Sequence, residues 1–222
     1  MTKQERLEKM KAELVRMSET ENTLYTDGFE GQPVKYIAGV DEVGRGPLAG
    51  PVVAAAVILP REFDLLGVND SKKLSEKRRE EMYGKIMEVA VAVSIGIRDH
   101  RRIDEINILN ATKEAMTDAI KGLAEKPDVV LIDALSLDDV PAPQVSIVKG
   151  DSKSVSIAAA SIIAKVTRDH MMVDYAEEYP GYAFEKNKGY GTKAHYEGID
   201  RLGVCPIHRQ SFLVKYFAGR DT

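Results

Sequence analysis

The sequence predicts an α/β fold in which a mixed five-stranded sheet is flanked by helices. Five short apolar segments, several of them rich in Val and Ile, have the length and composition of buried strands. Two long helical segments, 103–125 and 154–178, alternate with the later strands, as in folds that cover a sheet with helices. Acidic residues follow three of the strands, so the strand ends are the expected location of a functional site.

The N-terminal segment, residues 1–26, is predicted to form a helix. Its apolar residues recur at three- and four-residue spacing as a narrow stripe on a charged surface: Leu7, Met10, Leu14 and Met17. The stripe favours a helix packed on the surface of the domain, and the alternative is an arm that docks on a protein partner. Residues 25–33, with their Asp-Gly and Gly-Gln-Pro turns, are interpreted as a linker.

The five strands are predicted over residues 36–40, 51–59, 89–97, 129–132 and 145–148. After a loop over residues 65–73, Ser75 is a suitable N-cap for a helix that runs to about Met87. Pro127 stops helix 103–125, and no helix is expected between the last two strands. The small residues at the start of helix 154–178 suit close packing against the sheet.

Beyond Pro180 a Gly-rich loop leads to two C-terminal helices, predicted over about 193–202 and 208–217. The chain is accordingly divided into three parts. These are an N-terminal helical extension with its linker (1–30), an α/β core (31–190) and a C-terminal helical segment (191–222).

The composition indicates a cytoplasmic protein that does not enter a membrane. Cys205, the one cysteine, allows no intrachain disulfide, as expected for a reducing compartment. The charged N-terminus lacks the apolar core of a signal peptide, and no apolar run has the length of a membrane span. A compact domain without a long exposed apolar tract is expected to be a monomer.

The net charge of −4 does not decide whether the protein binds nucleic acid. Neutralisation of phosphates usually appears as an excess of Lys and Arg, and this chain has a slight excess of acid. An enzyme that binds phosphates through carboxylate-held metals, however, carries acid at its centre and base at its rim.

Four carboxylates lie at or just after predicted strands: Asp41, Glu42, Asp133 and Asp151. A single Asp in such a position is more often a cap or a turn residue than a ligand. Four together favour a site for two divalent cations such as Mg²⁺ or Mn²⁺, which prefer oxygen ligands. The four histidines are scattered and do not have zinc-site spacing. Because adjacent residues of a straight strand face opposite sides, both Asp41 and Glu42 reach one site only if the strand bends after Asp41.

A glycine-rich turn follows the first pair of carboxylates. Residues 39–46, GVDEVGRG, resemble a phosphate-binding P-loop, but that motif must lead into a helix, and here a strand follows. This disfavours a nucleoside triphosphatase. Flanked by Gly44 and Gly46, Arg45 instead allows the backbone to approach a sugar or a phosphate closely.

Several blocks together resemble the type 2 ribonucleases H, specifically bacterial ribonuclease HII. The blocks occur in the order expected for that family, over residues 36–60, 69–74, 133–134, 149–169, 187–192 and 208–212. The resemblance extends over about 36–217 and leaves the N-terminal extension outside. It implies an RNase H-like fold and endonucleolytic hydrolysis of the RNA strand of RNA–DNA hybrids. It also implies incision on the 5′ side of a single ribonucleotide in duplex DNA, which leaves a 3′-hydroxyl and a 5′-phosphate.

The resemblance also implies roles for individual residues. Asp41, Glu42, Asp133 and Asp151 match the family's catalytic, metal-binding acids. The Gly44–Arg45–Gly46 element matches the turn that senses the ribose 2′-hydroxyl through its backbone. Tyr190 matches the tyrosine that senses an RNA-to-DNA junction, with Tyr182 as the alternative. Further substrate or phosphate contacts are expected from Ser71, Lys72, Lys73, Lys149, Ser152, Lys153 and Lys188.

Two other functions are weighed against this one. A non-catalytic nucleic-acid-binding module on the same fold would not need the four carboxylates. A different metal-dependent nuclease, such as a DNA junction resolvase, would not prefer a duplex that contains a ribonucleotide. The cellular role expected for the ribonuclease is removal of ribonucleotides during DNA repair or of hybrids during replication.

Overall fold

The computed structural model describes residues 2–219; Met1, in the predicted N-terminal helix, and residues 220–222, in the predicted C-terminal segment, lie outside them. One sheet forms the centre, with the strand order β3-β2-β1-β4-β5. Its strands are β1 Ile37–Val43, β2 Val52–Ile58, β3 Ala92–Arg98, β4 Val129–Asp133 and β5 Gln144–Ile147. Because β1 is antiparallel to β2 and parallel to β4, the sheet is mixed, and the predicted fold class is confirmed.

Helices cover both faces of the sheet. In chain order they are α1 Lys3–Met17, α2 Glu19–Asp27, α3 Glu76–Val89, α4 His100–Lys121, α5 Val155–Glu178, α6 Phe184–Asn187, α7 Lys193–Leu202 and α8 Gln210–Ala218. Two single turns of 3₁₀ helix, Ser71–Lys73 and Gly150–Ser152, lie in loops near the sheet. No helix among residues 2–219 is both long enough and apolar enough to cross a membrane.

The central strands are buried on both faces, and their side chains alternate between two cores. Ala54 and Ala56 of β2 face the core under α4, whereas Ala55 and Val57 face the core under α5. This explains why β2 is a continuous apolar run and not an alternating one. The approach of α5 to β1 is so close that a Cβ atom on Gly39 would lie 2.0 Å from a backbone carbon of α5.

The third strand and the fourth helix begin at different residues from those predicted. Strand β3 starts at Ala92 because α3 continues to Val89. Helix α4 starts at His100 because Asp99 caps it, its Oδ1 accepting a backbone N–H one turn along at 2.9 Å. The helix is also kinked at Asn107, which has a positive φ of 69° and accepts two backbone N–H groups with its own side chain.

The predicted single N-terminal helix is two helices that meet at Ser18. The predicted linker, residues 25–33, is not an unstructured connection. Helix α2 extends to Asp27, and the chain that follows packs against the sheet through Phe29 and Val34. The extension is thus packed onto the domain, and its docking on a protein partner stays a prediction.

A buried carboxylate fixes the extension to the start of α5. Glu21 Oε1 accepts hydrogen bonds from Ser154 Oγ at 2.6 Å, from Ser156 N at 3.0 Å and from Ser156 Oγ at 2.6 Å. Arg16 of α1 contacts the same region, because its Nη2 donates to Ser152 O, just before α5, at 2.8 Å. A carboxylate beside the N-terminus of a helix is favoured by the helix dipole.

The C-terminal helices share one apolar cluster with the preceding loop. Tyr182 and Phe184, on the core side of the predicted boundary at 190, pack with Ile199, Ile207 and Leu213 beyond it. The division of the chain into three parts stays a prediction, and this cluster holds the last two of them together.

Candidate active site

The structure places the four predicted carboxylates near the carboxyl ends of three neighbouring strands. In the parallel pair β1–β4, Val40 lies opposite Ile132, so the next residues, Asp41 and Asp133, are adjacent. Asp151 lies in the 3₁₀ turn after β5, and this turn is joined to β4 because Gly150 N donates to Asp133 Oδ1 at 2.9 Å. The parallel order β1-β4-β5 therefore brings distant parts of the chain to one edge of the sheet.

The environment of the first two carboxylates opposes their ionisation. Burial raises the pKa of Asp41 well above its usual range, and the charges of Glu42 and Asp133 raise it further. The Glu42 backbone N–H, which donates to Asp41 Oδ1 at 2.8 Å, and Ser161 act in the opposite direction. Burial also raises the pKa of Glu42, although Arg45 Nη1 lies 3.5 Å from its Oε1.

Asp151 lies near a further carboxylate, that of Asp70, which the sequence analysis did not select as a site residue. Burial raises the pKa of Asp151, and the neighbouring carboxylates Asp70 and Asp133 raise it further, whereas Lys72 lowers it from 3.9 Å away. Asp70 also accepts the Lys72 backbone N–H at 2.9 Å as the cap of the 3₁₀ turn Ser71–Lys73. In the sequence such an Asp looks like an ordinary turn residue.

The donors fit a hard divalent cation in chemistry but are not preassembled around one. Carboxylate oxygens are the ligands that Mg²⁺ and Mn²⁺ prefer, and a cation would offset the burial and the mutual repulsion that raise the pKa values of these carboxylates. Within residues 2–219, however, no three Asp, Glu, His or Cys side chains are arranged to hold a metal ion. Lys72 and Arg45 instead lie beside Asp151 and Glu42.

The chain direction changes at Gly44 and not directly after Asp41. Strand β1 keeps its pairing with β2 through Val43 without a bulge, and the chain turns at Gly44, which has a φ of +94°. Asp41 and Glu42 keep the alternation of a regular strand, but both still lie near Asp133, whose charge raises the pKa of each. Asp41 contacts Ser161 on the α5 side, and Glu42 contacts Arg45.

The glycine turn lies beside one of the two candidate tyrosines. A Cβ atom on Gly46 would be 3.5 Å from Tyr190 Cε1, and Tyr190 is 43% exposed. Tyr182 is 5% exposed, its hydroxyl donates to Gly203 O at 2.9 Å, and its ring stacks on Phe184. The structure thus places Tyr190 at the turn and Tyr182 in the core.

The other predicted contacts differ in their burial, and among the lysines Lys72 is paired with a site carboxylate, Asp151. Four are exposed: Lys72, Lys73, Lys149 and Lys153. Ser152 and Lys188 are half-buried. Ser71 is buried, and its Oγ is hydrogen-bonded to Ser161 Oγ at 2.7 Å. Ser71 therefore lies beneath the site, and it would have to leave this hydrogen bond to touch a substrate.

Two buried histidines, also missed from the sequence, support the backbone of Tyr190. Cys205 N donates to His208 Nδ1 at 2.9 Å, so the proton of the neutral His208 ring is on Nε2. His208 Nε2 then donates to His195 Nε2 at 3.0 Å, and His195 Nδ1 donates to Tyr190 O at 2.9 Å. This chain of hydrogen bonds requires both rings to be neutral.

The histidine pair predicts a loss of stability in mild acid. Burial lowers the pKa of both rings, that of His208 to about 4. The unfolded chain binds these protons near pH 6.5 and the folded chain only at lower pH, so stability is full above pH 6.5 and falls towards pH 4. Between pH 6.5 and 5, His208 should lower the unfolding free energy by about 1 to 2 kcal/mol, and His195 acts in the same direction. Urea unfolding at several pH values measures this.

A His208→Gln variant provides the comparison for that measurement. It should be less stable than the wild type at pH 7, and the difference between the two proteins should shrink as the pH falls. An unchanged difference from pH 7 to pH 5 would contradict the assignment of neutral rings.

Comparison with known proteins identifies the family. The family model described as ribonuclease HII matches residues 38–215. The chain belongs to the ribonuclease HII family. It is 58% identical over 207 residues to ribonuclease HII of Ligilactobacillus salivarius, with 93% of this chain and 79% of the relative covered. It is 60% identical over 196 residues to ribonuclease HII of Enterococcus faecalis, with 88% and 74% covered.

Solved structures agree with the family. Ribonuclease H2 from Pyrococcus horikoshii superposes with a TM-score of 0.67 at 28% identity, over 79% of this chain and 93% of that one. Ribonuclease HII from Archaeoglobus fulgidus, solved in complex with PCNA, gives a TM-score of 0.66 at 29% identity, over 79% and 94%. The predicted RNase H-like fold and the predicted family are confirmed, and this ribonuclease HII family member is a ribonuclease H, a hydrolase.

Proposed function

We propose that this ribonuclease H cleaves the RNA strand of RNA–DNA hybrids and incises duplex DNA on the 5′ side of a single ribonucleotide. The products are a 3′-hydroxyl and a 5′-phosphate. One arrangement carries the proposal: four carboxylates lie at one sheet edge, with Glu42 linked through Arg45 to a glycine turn that adjoins the exposed Tyr190. The chain thus combines acids suited to phosphodiester hydrolysis with a turn suited to contact with a sugar.

Asp41, Glu42, Asp133 and Asp151 are the residues that would hold two Mg²⁺ or Mn²⁺ ions. When bound, such ions supply activation of water and neutralisation of charge on the phosphate and the leaving oxygen. The protein supplies the fixed spacing of the carboxylates, since Asp41 and Asp133 belong to paired strands and Asp133 accepts the Gly150 N–H.

Selection of RNA is assigned to the turn of Gly44, Arg45 and Gly46. The 2′-hydroxyl is the group that distinguishes RNA from DNA, and glycines let backbone N–H groups reach it. Tyr190 would stack on the next sugar and exclude a second 2′-hydroxyl there, which selects an RNA-to-DNA junction. The exposed Lys72, Lys149 and Lys153, with Lys188, would bind phosphates without regard to sequence.

The proposal is tested with a labelled DNA duplex that contains one ribonucleotide, beside an all-DNA duplex of the same sequence. Incision only on the 5′ side of the ribonucleotide, with Mg²⁺ or Mn²⁺ and not with a chelator, is the expected result. Incision of both duplexes would favour a resolvase-like nuclease. Binding without incision under every metal condition would favour a non-catalytic module.

Replacement of Tyr190 by Ala should lower kcat/KM on the single-ribonucleotide duplex by about 10- to 100-fold, taking the roughly 1–3 kcal/mol of an aromatic stacking contact with nucleic acid as the guide. The effect on a continuous RNA–DNA hybrid should be smaller, because such a substrate lacks a junction at most positions. Steady-state kinetics on both substrates measures the difference. Tyr190→Phe, which keeps the ring, is the control, and equal activity of Tyr190→Ala on the single-ribonucleotide duplex would rule out the assignment.

The proposed partners are RNA–DNA hybrid and ribonucleotide-containing duplex DNA, bound by a monomer in the cytoplasm. Such an activity would serve DNA repair or replication by removing ribonucleotides from DNA. The complex of the Archaeoglobus relative with PCNA is a property of that protein. For this chain, docking of α1 and α2 on a protein partner is the alternative to a purely structural role in which they pack on the domain.

A further inference from the structure

Two arginines lie beneath the glycine turn. Arg168, on α5, and Arg209, just before α8, are both 0% exposed. Neither forms an ion pair with a carboxylate among residues 2–219, although a buried guanidinium is costly unless its charge and its N–H groups are satisfied. Backbone carbonyl oxygens satisfy both of them.

Arg209 binds the turn itself. Its Nη2 donates to Gly44 O at 2.6 Å and its Nη1 to Arg45 O at 3.0 Å, while its Nε donates to Gly50 O at 3.0 Å. The backbone of Arg209 adds a fourth contact, in which its N–H donates to Leu48 O at 2.8 Å. One residue therefore holds both ends of the segment from 44 to 50.

Arg168 joins the end of this segment to the loop that carries Tyr190. Its Nε donates to Pro51 O at 2.9 Å, its Nη2 to Ala49 O at 3.1 Å and its Nη1 to Lys188 O at 2.8 Å. The same two segments are linked directly, because Leu48 N donates to Gly189 O at 2.8 Å.

Arg168 also occupies the space beside Gly44. A Cβ atom on Gly44 would lie 2.3 Å from Arg168 Nε. Glycine is thus required at this position for two reasons, since the φ of +94° also disfavours any other residue.

These contacts decide which side of the turn faces outwards. In a trans peptide, the carbonyl and the following N–H point in opposite directions. Because Arg209 binds the carbonyls of Gly44 and Arg45, the N–H groups of Arg45 and Gly46 point away from the protein interior. Within the described part of the chain, no protein acceptor takes either N–H. The ring of Tyr190 lies beside them.

We propose that Arg209 and Arg168 are positioning residues for ribonucleotide recognition: Arg209 keeps the N–H groups of the turn directed towards the substrate, and Arg168 fixes the turn to the Tyr190 loop. This rests on the proposed function of the turn. Arginine suits the role because its planar group offers five donors in fixed directions. Lysine has one donor atom and cannot bind three carbonyls that lie apart.

Binding measurements test the role in recognition. The parent protein is Asp133→Asn, which keeps both arginines, and Arg209→Lys and Arg168→Lys are each added to it. The dissociation constants for a single-ribonucleotide duplex and for an all-DNA duplex of the same sequence are measured by fluorescence anisotropy with Mg²⁺. Each Lys variant should weaken ribonucleotide binding by about tenfold and leave all-DNA binding nearly unchanged, as expected for loss of one or two charge-assisted hydrogen bonds.

Arg201→Lys is the matched control. Arg201 is exposed and also donates to a backbone carbonyl, that of Gly181 at 3.3 Å, but it lies outside the turn. Its substitution should change neither dissociation constant. A ribonucleotide preference in Arg209→Lys equal to that of the control would overturn the proposal.

Amide hydrogen exchange provides a readout that does not depend on substrate. In Arg209→Lys and Arg168→Lys, the N–H groups of Leu48 and Gly50, which donate to Gly189 O and Ile207 O, should exchange faster than in the control, with the central strands unchanged. Faster exchange over the whole chain would show general destabilisation and contradict a positioning role. If the Asp133→Asn parent shows no ribonucleotide preference, the proposed function of the turn fails, and exchange at Leu48 and Gly50 alone decides whether the arginines fix it.

Discussion

Replacement of Asp41 by Asn is expected to abolish cleavage and to make the metal-free protein more stable. Burial and the charges of Glu42 and Asp133 raise the pKa of Asp41 in the folded protein, so at neutral pH its ionised form opposes folding. Asn removes this charge and should add about 1 kcal/mol to the unfolding free energy. Cleavage should fall at least about 1,000-fold, because loss of a metal ligand removes several kcal/mol of stabilisation from the transition state.

Thermal unfolding with and without metal separates the two effects of this substitution. Mg²⁺ or Mn²⁺ should raise the melting temperature of the wild type, and it should raise that of Asp41→Asn by less. Asp139→Asn, at an exposed position outside the site, is the control and should alter neither activity nor stability. A metal-free Asp41→Asn protein that is less stable than the wild type would contradict the conclusion that the ionised Asp41 side chain destabilises the folded protein.

Replacement of Gly39 by Ala should cause a large loss of stability, because the added methyl group would meet the backbone of α5. The added Cβ would lie 2.0 Å from the carbonyl carbon of Ser156 and 2.3 Å from the nitrogen of Ile157, and a backbone cannot move aside as a side chain can. Helix α5 would have to move away from β1, at a cost of about 3 kcal/mol or more in unfolding free energy. Urea unfolding measures this.

Gly84→Ala is the matched control for that measurement. Gly84 lies within α3, and an added Cβ there would have no atom within 4 Å. Because Ala favours helix over Gly, this variant should be as stable as the wild type or more stable by up to about 1 kcal/mol. An unfolding free energy of Gly39→Ala within 1 kcal/mol of the wild type would mean that α5 does not pack on β1 as closely as described.

The sequence alone is enough to predict the sheet and to select four carboxylates as site candidates: Asp41, Glu42, Asp133 and Asp151. Buried strands need apolar runs, and such runs are visible without knowledge of their partners. Asp41 and Asp133 were located because each ends one of these runs. The resemblance to a family then assigned a function that no single run could indicate.

Most of the features missed from the sequence depend on contacts between distant residues. Arg168 and Arg209 are of a type that is nearly always exposed, and only the folded chain shows carbonyl groups converging on them. Likewise, Asp70 acts as a local cap, and its second contact, with Asp151, crosses 81 positions of sequence. The break at Ser18 was missed because the apolar spacing continues up to Met17 and gives no sign of an end.

The attachment of α2 to α5 also affects the order in which parts of the protein fold during synthesis. Glu21 and Ser154 are separated by 133 residues, so a ribosome that adds roughly 5–20 residues per second makes Glu21 on the order of ten seconds before its partner. During that interval the extension has no α5 on which to pack. The helix α2 is therefore made well before it can reach its final position, and folding of the site edge is completed only when the second half of the chain has emerged.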